Sequence, residues 1–166
     1  MKKIICVLSL VLFVYGCGEK VPDGFPKVVP LTVLVTDGNK PLDDVFVVLE
    51  MIPPIDCVSI AAKTDASGKA TIQTAIGNYS KAGVPTGKVV MTLFKEPVAE
   101  DWKTAEEQSK MTMEESEAYS NEKAERSAKL PPIIPKVLND AKTSPLTKDI
   151  IANTPTNWNV NVAEFK

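Results

Sequence analysis

The stretch LTVLVTDGNKPLDDVFVVLEM, residues 31–51, predicts a strand, a turn and a second strand. In its first part, the apolar residues Leu31, Val33 and Val35 recur at every second position, which is the period of a half-buried strand. The following segment, Asp37 to Pro41, predicts a turn, because glycine and asparagine tolerate positive φ and proline stops a continuing ladder. An alternating strand that ends in a turn indicates a β-rich domain.

The second strand of this stretch is apolar on both of its alternating faces. One face carries Val45, Val47, Leu49 and Met51. Phe46 and Val48 lie on the other face, together with Glu50. We therefore predict a strand that is partly buried on both sides.

Five further strands are predicted along the chain. Four of them are marked by alternating residues, and the other lies within Leu146 to Ile151. The alternating residues are Val58, Ile60 and Ala62; Ala70, Ile72 and Thr74; Val89, Met91 and Leu93; and Trp158, Val160 and Val162, of which the last set points inward. Short strands at regular spacing, separated by Gly- and Pro-containing turns, are typical of an antiparallel sandwich. The fold class predicted is all-β, a seven-stranded antiparallel β-sandwich closed by its last strand.

One interval, residues 97–129, breaks the strand pattern. It contains no glycine, its only proline is Pro97, and good helix formers dominate it. We predict a helical insertion at about 97–130, in two segments, before the last two strands. Its thin apolar stripe comprises Val98, Trp102, Ala105, Met111, Met113 and Tyr119. The insertion would be docked lightly or partly mobile, with its charges on a solvated face; a partner-binding helix is the alternative.

The first twenty residues predict export. Two lysines precede a short apolar run from Ile4 to Tyr15, and small Gly16 precedes Cys17. A basic start, an apolar core and a small residue at the cut site are typical of a secretory signal peptide. The run is shorter than the ~20 apolar residues that a membrane span needs. A buried core helix is the alternative, but it would begin at the chain terminus without a cap.

The segment Val14-Tyr15-Gly16-Cys17 resembles the lipobox of bacterial lipoproteins. The resemblance implies that residues 1–16 are a signal peptide and that Cys17 is lipidated and becomes the first residue. Tyr15 is bulkier than the usual residue at its position, and Val14 replaces the commoner leucine. Gly18 is not the aspartate that often retains lipoproteins on the inner membrane, which favours the outer membrane where one exists. Residues 17–30, with three prolines, predict a tether to a domain at 31–166.

Composition excludes several kinds of chemistry. The sequence has no histidine, which excludes Ser-His-Asp and Cys-His catalysis and histidine-containing metal sites. Without Lys2 and Lys3 the mature chain has 17 basic and 21 acidic residues, which does not favour nucleic-acid binding. With Cys17 lipidated and Cys6 removed, Cys57 has no disulfide partner, and we interpret it as a buried or incidental residue rather than a reactive thiol.

Four segments together resemble the transthyretin-like, carboxypeptidase-regulatory-like domains. They are DGNKPLDDVFVVL, KTDASGKATIQT, GVPTGKVVMTL and, as in a bacterial lipoprotein subgroup, IPKVLNDAKTSPLTKDI. The resemblance covers about residues 31–96 and 131–165 and implies a seven-stranded prealbumin-like sandwich. Asp44 stands where the family usually has glycine, and Lys88-Val89 replaces the usual tyrosine region. The resemblance is to a non-catalytic module, so no catalytic residue is carried over.

Three constellations have both a functional and a structural interpretation. Asp65 with Ser67-Gly68 could suggest a calcium loop, but one carboxylate is far short of the oxygen ligands that calcium takes, and a hairpin turn is favoured. Glu114 and Glu117 would share a helix face, where a solvated surface is favoured over a paired-carboxylate site. Trp158 and Trp102 could stack on sugars. Trp158 is on the inward register of its strand, which favours the core, and Trp102 remains a candidate ligand or partner surface.

These observations predict a non-catalytic lipoprotein of the bacterial envelope, outside the cytoplasm. We predict that the protein binds the membrane through lipid on Cys17 and that the domain is a structural or protein-binding module. A carbohydrate-binding module that binds an envelope polysaccharide is the alternative, and a histidine-free carboxylate hydrolase is a third hypothesis. No cofactor, metal or catalytic residue is predicted.

Overall fold

The computed structural model describes residues 21–97, 99 and 101–166. The predicted signal peptide 1–16 and the predicted lipidation site Cys17 lie outside the described residues, as does Val98 of the predicted apolar stripe. The domain boundary at residue 31 therefore stays a prediction.

The described residues are mostly β, with two α-helices inserted between the tenth and eleventh strands. The strands are β1 (Val28–Val29), β2 (Leu31–Asp37), β3 (Lys40–Pro41), β4 (Phe46–Ile52), β5 (Ser59–Lys63), β6 (Lys69–Thr71), β7 (Gln73–Ile76), β8 (Tyr79–Ala82), β9 (Val84–Pro85), β10 (Gly87–Phe94), β11 (Thr147–Ile150) and β12 (Thr156–Asn161). The helices are α1 (Ala105–Ser109) and α2 (Met113–Ser127), and short 3-10 turns cover Lys136–Leu138 and Val162–Phe165.

Two main sheets organise these strands. The larger sheet has six strands in the order β11-β10-β4-β5-β7-β8, and its neighbours are antiparallel. In the smaller sheet β2 pairs with β12, and also with β3 and β6. β1 and β9 form a two-stranded ribbon. The predicted fourth strand is split at Ile72, because β6 pairs with β2 whereas β7 pairs with β5 in the other sheet.

The last strand departs from the predicted all-antiparallel arrangement. β12 runs parallel to β2, with Thr156 opposite Leu31 and Asn161 opposite Thr36. The reason is topological. β11 ends at Ile150, the chain turns through residues 151–155 into the other sheet, and β12 then starts at the same end of the domain as β2.

A single hydrophobic core lies between the two sheets. The predicted inward faces of β2, β4 and β10 are confirmed, since all of their members are buried in one cluster. The predicted core positions of Trp158, Val160 and Val162 are confirmed as well. The prediction that the second face of β4 is partly buried is wrong, because Phe46 and Val48 are exposed. That face is the outer side of the larger sheet.

The chain crosses between the sheets at residues 42–45 and again near Thr64. The buried Thr64 hydroxyl donates a hydrogen bond to the Leu42 carbonyl (2.7 Å) and accepts one from the Val45 N–H (2.9 Å). The Thr64 backbone also accepts from Asp44 (3.1 Å) and donates to Val45 (2.9 Å). The backbone groups released from the strand ladders are therefore paired at this crossing.

The predicted insertion is helical and has two segments, as expected. Thr104 and Thr112 each cap a helix, and in both cases a glutamate three residues later completes a reciprocal capping box. Neither helix buries a residue. Among the described residues, no helix is both long and apolar enough to cross a membrane.

The strand registers define two opposite ends of the domain. The N-terminal end, as we name it, holds the loops 53–58, 77–78 and 151–155, near Ile52 and its cross-strand partner Lys88. The insertion end holds the turns 37–40 and 65–68 and the start of the insertion after Phe94, which is opposite Phe46. The seven residues of β4, at about 3.4 Å each, separate the two ends by roughly 20 Å.

We predict that Gly68→Ala destabilises the fold. Gly68 has φ +75°, and an added Cβ would lie 2.6 Å from the Val35 carbonyl oxygen, in the turn that joins the two sheets. The expected loss in the free energy of unfolding is at least about 2 kcal/mol, measured by urea denaturation. Gly38→Ala is the matched control, since Gly38 has φ +61° but nothing within 4 Å of an added Cβ. Equal losses in the two variants would contradict the contact with Val35.

Candidate functional site

The outer side of the larger sheet carries an exposed aromatic pair at the insertion end. Phe46 on β4 and Phe94 on β10 are cross-strand partners, and 48% and 51% of their surfaces are exposed. Val48, two residues along β4, shares their face and is also exposed. We call Phe46, Val48 and Phe94 the aromatic face.

Two ion pairs border the aromatic face. Lys63 bonds Asp44 at 2.9 Å, and its ammonium nitrogen lies 5.2 Å from the centre of the Phe46 ring, within the range of a cation–π interaction. Lys95, next to Phe94, bonds Asp43 at 2.7 Å. The hydrogen bond and the charge of Lys95 hold the pKa of Asp43 below its usual range. The border is therefore charged and ordered by its own contacts.

A cleft of about 330 Å³ opens beside the ring of Phe46. It is lined by Asp43, Asp44, Phe46, Lys63, Lys95, Glu96 and Ile133. Carboxylates and ammonium groups thus stand next to an exposed ring, an arrangement that can combine stacking with hydrogen bonding to a ligand.

Within the insertion, α2 is bonded to the segment 101–103, which precedes α1. Arg126 on α2 donates to both carboxylate oxygens of Asp101, each at 2.7 Å. This hydrogen bonding, together with the positive charge of Arg126, lowers the pKa of Asp101. The link is complete above the ordinary carboxyl pKa and is lost as the pH falls through the lowered one. The N–H of Lys103 also donates to the Tyr119 hydroxyl, at 2.8 Å.

Trp102, the candidate surface residue, lies within the segment 101–103. The ammonium nitrogen of Lys123 sits 4.8 Å from the centre of its ring, and Lys123 also pairs with Glu96 at 3.4 Å. The Trp102 indole nitrogen has no solvent access and no hydrogen-bond partner within the described part of the chain. The Trp102 ring therefore contacts Lys123, and its role as a ligand or partner surface stays a prediction.

The remaining candidates of the sequence fall in separate places. Asp65 forms the predicted hairpin turn, its Oδ1 accepting from the Ser67 hydroxyl (2.6 Å) and from the Ser67 and Lys69 N–H groups (2.8 and 3.1 Å). These hydrogen bonds lower the pKa of Asp65, and the bond from the Ser67 hydroxyl has the largest effect. Glu114 and Glu117 are exposed on α2, as predicted for a solvated face. Cys57 is exposed in the loop between β4 and β5, so the buried alternative of its interpretation is wrong, and the incidental alternative stays a prediction.

Polar side chains cover the outer side of the smaller sheet. They line an open depression of about 600 Å³ formed by Thr32, Leu34, Asp65, Lys69, Thr71, Asn157 and Asn159. Its largest apolar side chain is Leu34, which is half-buried. This surface lacks the aromatic platform that the larger sheet provides.

Sequence reasoning missed the aromatic face because it predicted that the strand face carrying Phe46 is partly buried. One signal could have identified it. On β4 and β10, the face that holds Phe46 and Phe94 also holds Glu50, Thr92 and Lys88. Charged residues are rarely buried without a partner, so this face was the better candidate for solvent.

Comparison with protein-family models, with curated proteins and with solved structures found no match to this chain.

We predict that Arg126→Gln loosens α2 while leaving the sheets unchanged, because Arg126 joins the helix to Asp101. Amide hydrogen exchange along α2 should become several-fold faster, without a change in the midpoint of urea unfolding. Lys129→Gln is the matched control, since Lys129, two residues past the end of α2, pairs with Glu125 of the helix at 2.9 Å. Glutamine has a helix propensity close to that of arginine and lysine. Similar exchange rates in both variants would show that the link to Asp101 does not hold the helix.

Proposed function

We propose that this chain is a non-catalytic, lipid-anchored lipoprotein of the bacterial envelope whose aromatic face binds a protein partner. The observation that carries the proposal is the exposed pair Phe46 and Phe94 at the end of the larger sheet. The lipobox-like segment that ends at Cys17 supports the anchor. Gly18 favours the outer membrane where there is one.

The composition of the aromatic face favours a protein as its partner. Binding energy at protein interfaces concentrates in a few aromatic and basic residues that are surrounded by a polar border. Phe46 and Phe94 supply the aromatic centre, and the Lys63–Asp44 and Lys95–Asp43 pairs supply the border. Grouped exposed apolar side chains also mark interaction sites more often than scattered ones do.

For the finer fold we propose a prealbumin-like sandwich related to the carboxypeptidase-regulatory-like domains. Three turn features support it. Gly38 and Gly68, in the two family-like turns, both have positive φ. Asp44, which occupies the position where the family usually has glycine, has φ 55°. Aspartate tolerates this left-handed conformation better than most residues do, which accounts for the departure.

A non-catalytic role is supported by sequence and by charge state. Histidine is missing from the sequence. Among the described residues, the carboxyl groups with shifted pKa values are all shifted downward, which keeps them ionised. A carboxylate hydrolase needs one carboxyl group with a raised pKa to act as the acid.

A carbohydrate-binding role is the second candidate, and the cleft beside Phe46 favours it. An exposed ring next to Asp43, Asp44 and Lys63 can stack on a sugar and hydrogen-bond its hydroxyls. The protein-binding proposal ranks first because Phe94 and Val48 extend the apolar surface beyond the cleft.

We predict that Cys17→Ser abolishes lipidation. Only a cysteine thiol at this position can take the diacylglyceryl group, so radiolabelled fatty acid should enter the wild-type protein and not the variant. Cys57→Ser is the matched control and should be labelled like the wild type. Equal labelling of the wild type and Cys17→Ser would contradict the anchor.

We predict that Phe46→Ser and Phe94→Ser remove partner binding without unfolding the domain, since both rings are half exposed. The measurement is cross-linking of the native lipoprotein in its own envelope, followed by mass spectrometry of the captured proteins. Met113→Ser is the control, because Met113 is 90% exposed on α2 and belongs neither to the aromatic face nor to the cleft lining. A capture pattern unchanged by both phenylalanine variants would contradict the proposed face. If an envelope polysaccharide gel retains the wild type but not the two phenylalanine variants, the carbohydrate alternative is favoured.

A further inference from the structure

We infer that the N-terminal end of the domain lies against the lipid bilayer and that exposed isoleucines there contact the membrane interface. The inference rests on the proposed lipid anchor at Cys17. It adds an orientation and a second, non-covalent contact with lipid, which the anchor alone does not require.

The chain that leads from Cys17 is strapped to the domain well before residue 31. The ring of Phe25 packs edge-on against Tyr79, with the ring centres 4.8 Å apart. Val28 and Val29 then pair with Pro85 and Val84. Val29 is buried in the core. The predicted tether therefore has ordered contacts with β8, which starts beside the 77–78 loop of the N-terminal end, and with β9.

The strap limits how far the domain can lie from its anchor. Phe25 follows Cys17 by eight positions, and fully extended chain spans at most about 3.6 Å per position, which gives roughly 29 Å. Val21, the first described residue, follows Cys17 by only four positions. The point where the chain enters the domain fixes which end can approach the bilayer, and it enters at the N-terminal end.

The surface of that end is apolar enough to meet lipid. Ile52, Ile55 and Ile151 are 48%, 40% and 66% exposed. Ile52 ends β4 and Ile151 directly follows β11, so both lie where the strands of the larger sheet end at the N-terminal end of the domain. Ile55 is in the adjoining loop. Val21 adds a fourth exposed side chain on the anchor side. Apolar side chains of this kind bind a bilayer by burial at the boundary of headgroups and acyl chains.

Charged residues at the same end are compatible with headgroups. Lys27 and Lys88 are exposed, and so are Asp23, Asp56 and Asp149, the last of which is the cross-strand partner of Lys88. The near balance of charge means that the isoleucines, rather than attraction to anionic lipid, would supply the contact. Binding should therefore depend only weakly on salt.

Cys57 provides a probe at the N-terminal end, because it is exposed in the same loop as Ile55. The full-length lipoprotein is labelled there with a polarity-sensitive fluorophore. It is then reconstituted in vesicles of phosphatidylethanolamine and phosphatidylglycerol that contain a quencher-bearing lipid. The control carries Cys57→Ser with Met113→Cys, which places the label on the insertion. We expect quenching at residue 57 to exceed quenching at residue 113 several-fold.

Variants of the isoleucines test the contact itself. Ile55→Asp with Ile151→Asp should reduce quenching at residue 57 several-fold, whereas Met113→Asp should not. Quenching at residue 57 that is equal to that at residue 113, or that is insensitive to the isoleucine changes, would overturn the inference while the anchor stands. Vesicle flotation separates the two proposals: protein that fails to float with vesicles would contradict the lipid anchor, and with it the orientation.

Discussion

Three buried hydroxyl groups form hydrogen bonds with backbone groups near places where the chain leaves the strand pairing. Thr64 pairs with residues 42–45, Thr74 donates to the Gly83 carbonyl at 2.7 Å, and Ser144 donates to the Met91 carbonyl at 2.6 Å. They are the buried polar side chains among the described residues. An unpaired buried carbonyl costs about 1–3 kcal/mol, so a chain that changes sheets must supply a partner at each crossing. Of the three, Thr64 lies at a crossing between the two main sheets, and its hydrogen bonds leave no unpaired carbonyl at Leu42 where the sheets meet over one core.

That construction also separates the two surfaces of interest. β4 and β10 run the length of the domain, so one end of each strand presents isoleucine and lysine near the N-terminal strap. The other end presents Phe46 and Phe94. The ion pair of Lys95 with Asp43 fixes the chain where it leaves β10, and the insertion begins from that fixed point. A membrane contact at one end would leave the aromatic face open to a partner at the other.

The sequence predicted those parts of the fold that local pattern determines. Alternation identified the inward faces of β2, β4 and β12, and helix formers identified α1 and α2. Alternation gives the face of a residue but not the neighbour of its strand, so the parallel pairing of β12 with β2 was not predicted. It also cannot tell which apolar face is covered, so the face of Phe46 was predicted to be partly buried. The Arg126–Asp101 link joins residues 25 apart in the chain, beyond the reach of helix periodicity.

The parallel pairing of β12 with β2 has a consequence for how the protein comes to be folded. Leu31 is among the first residues of the domain to be synthesised, yet its partner Thr156 is among the last. Contacts between residues so far apart in the sequence form slowly, whereas the capped helices α1 and α2 between them can form from local sequence. The smaller sheet therefore stays open at one edge until β12 has been synthesised. A partly synthesised chain would expose β2 to other chains during that time.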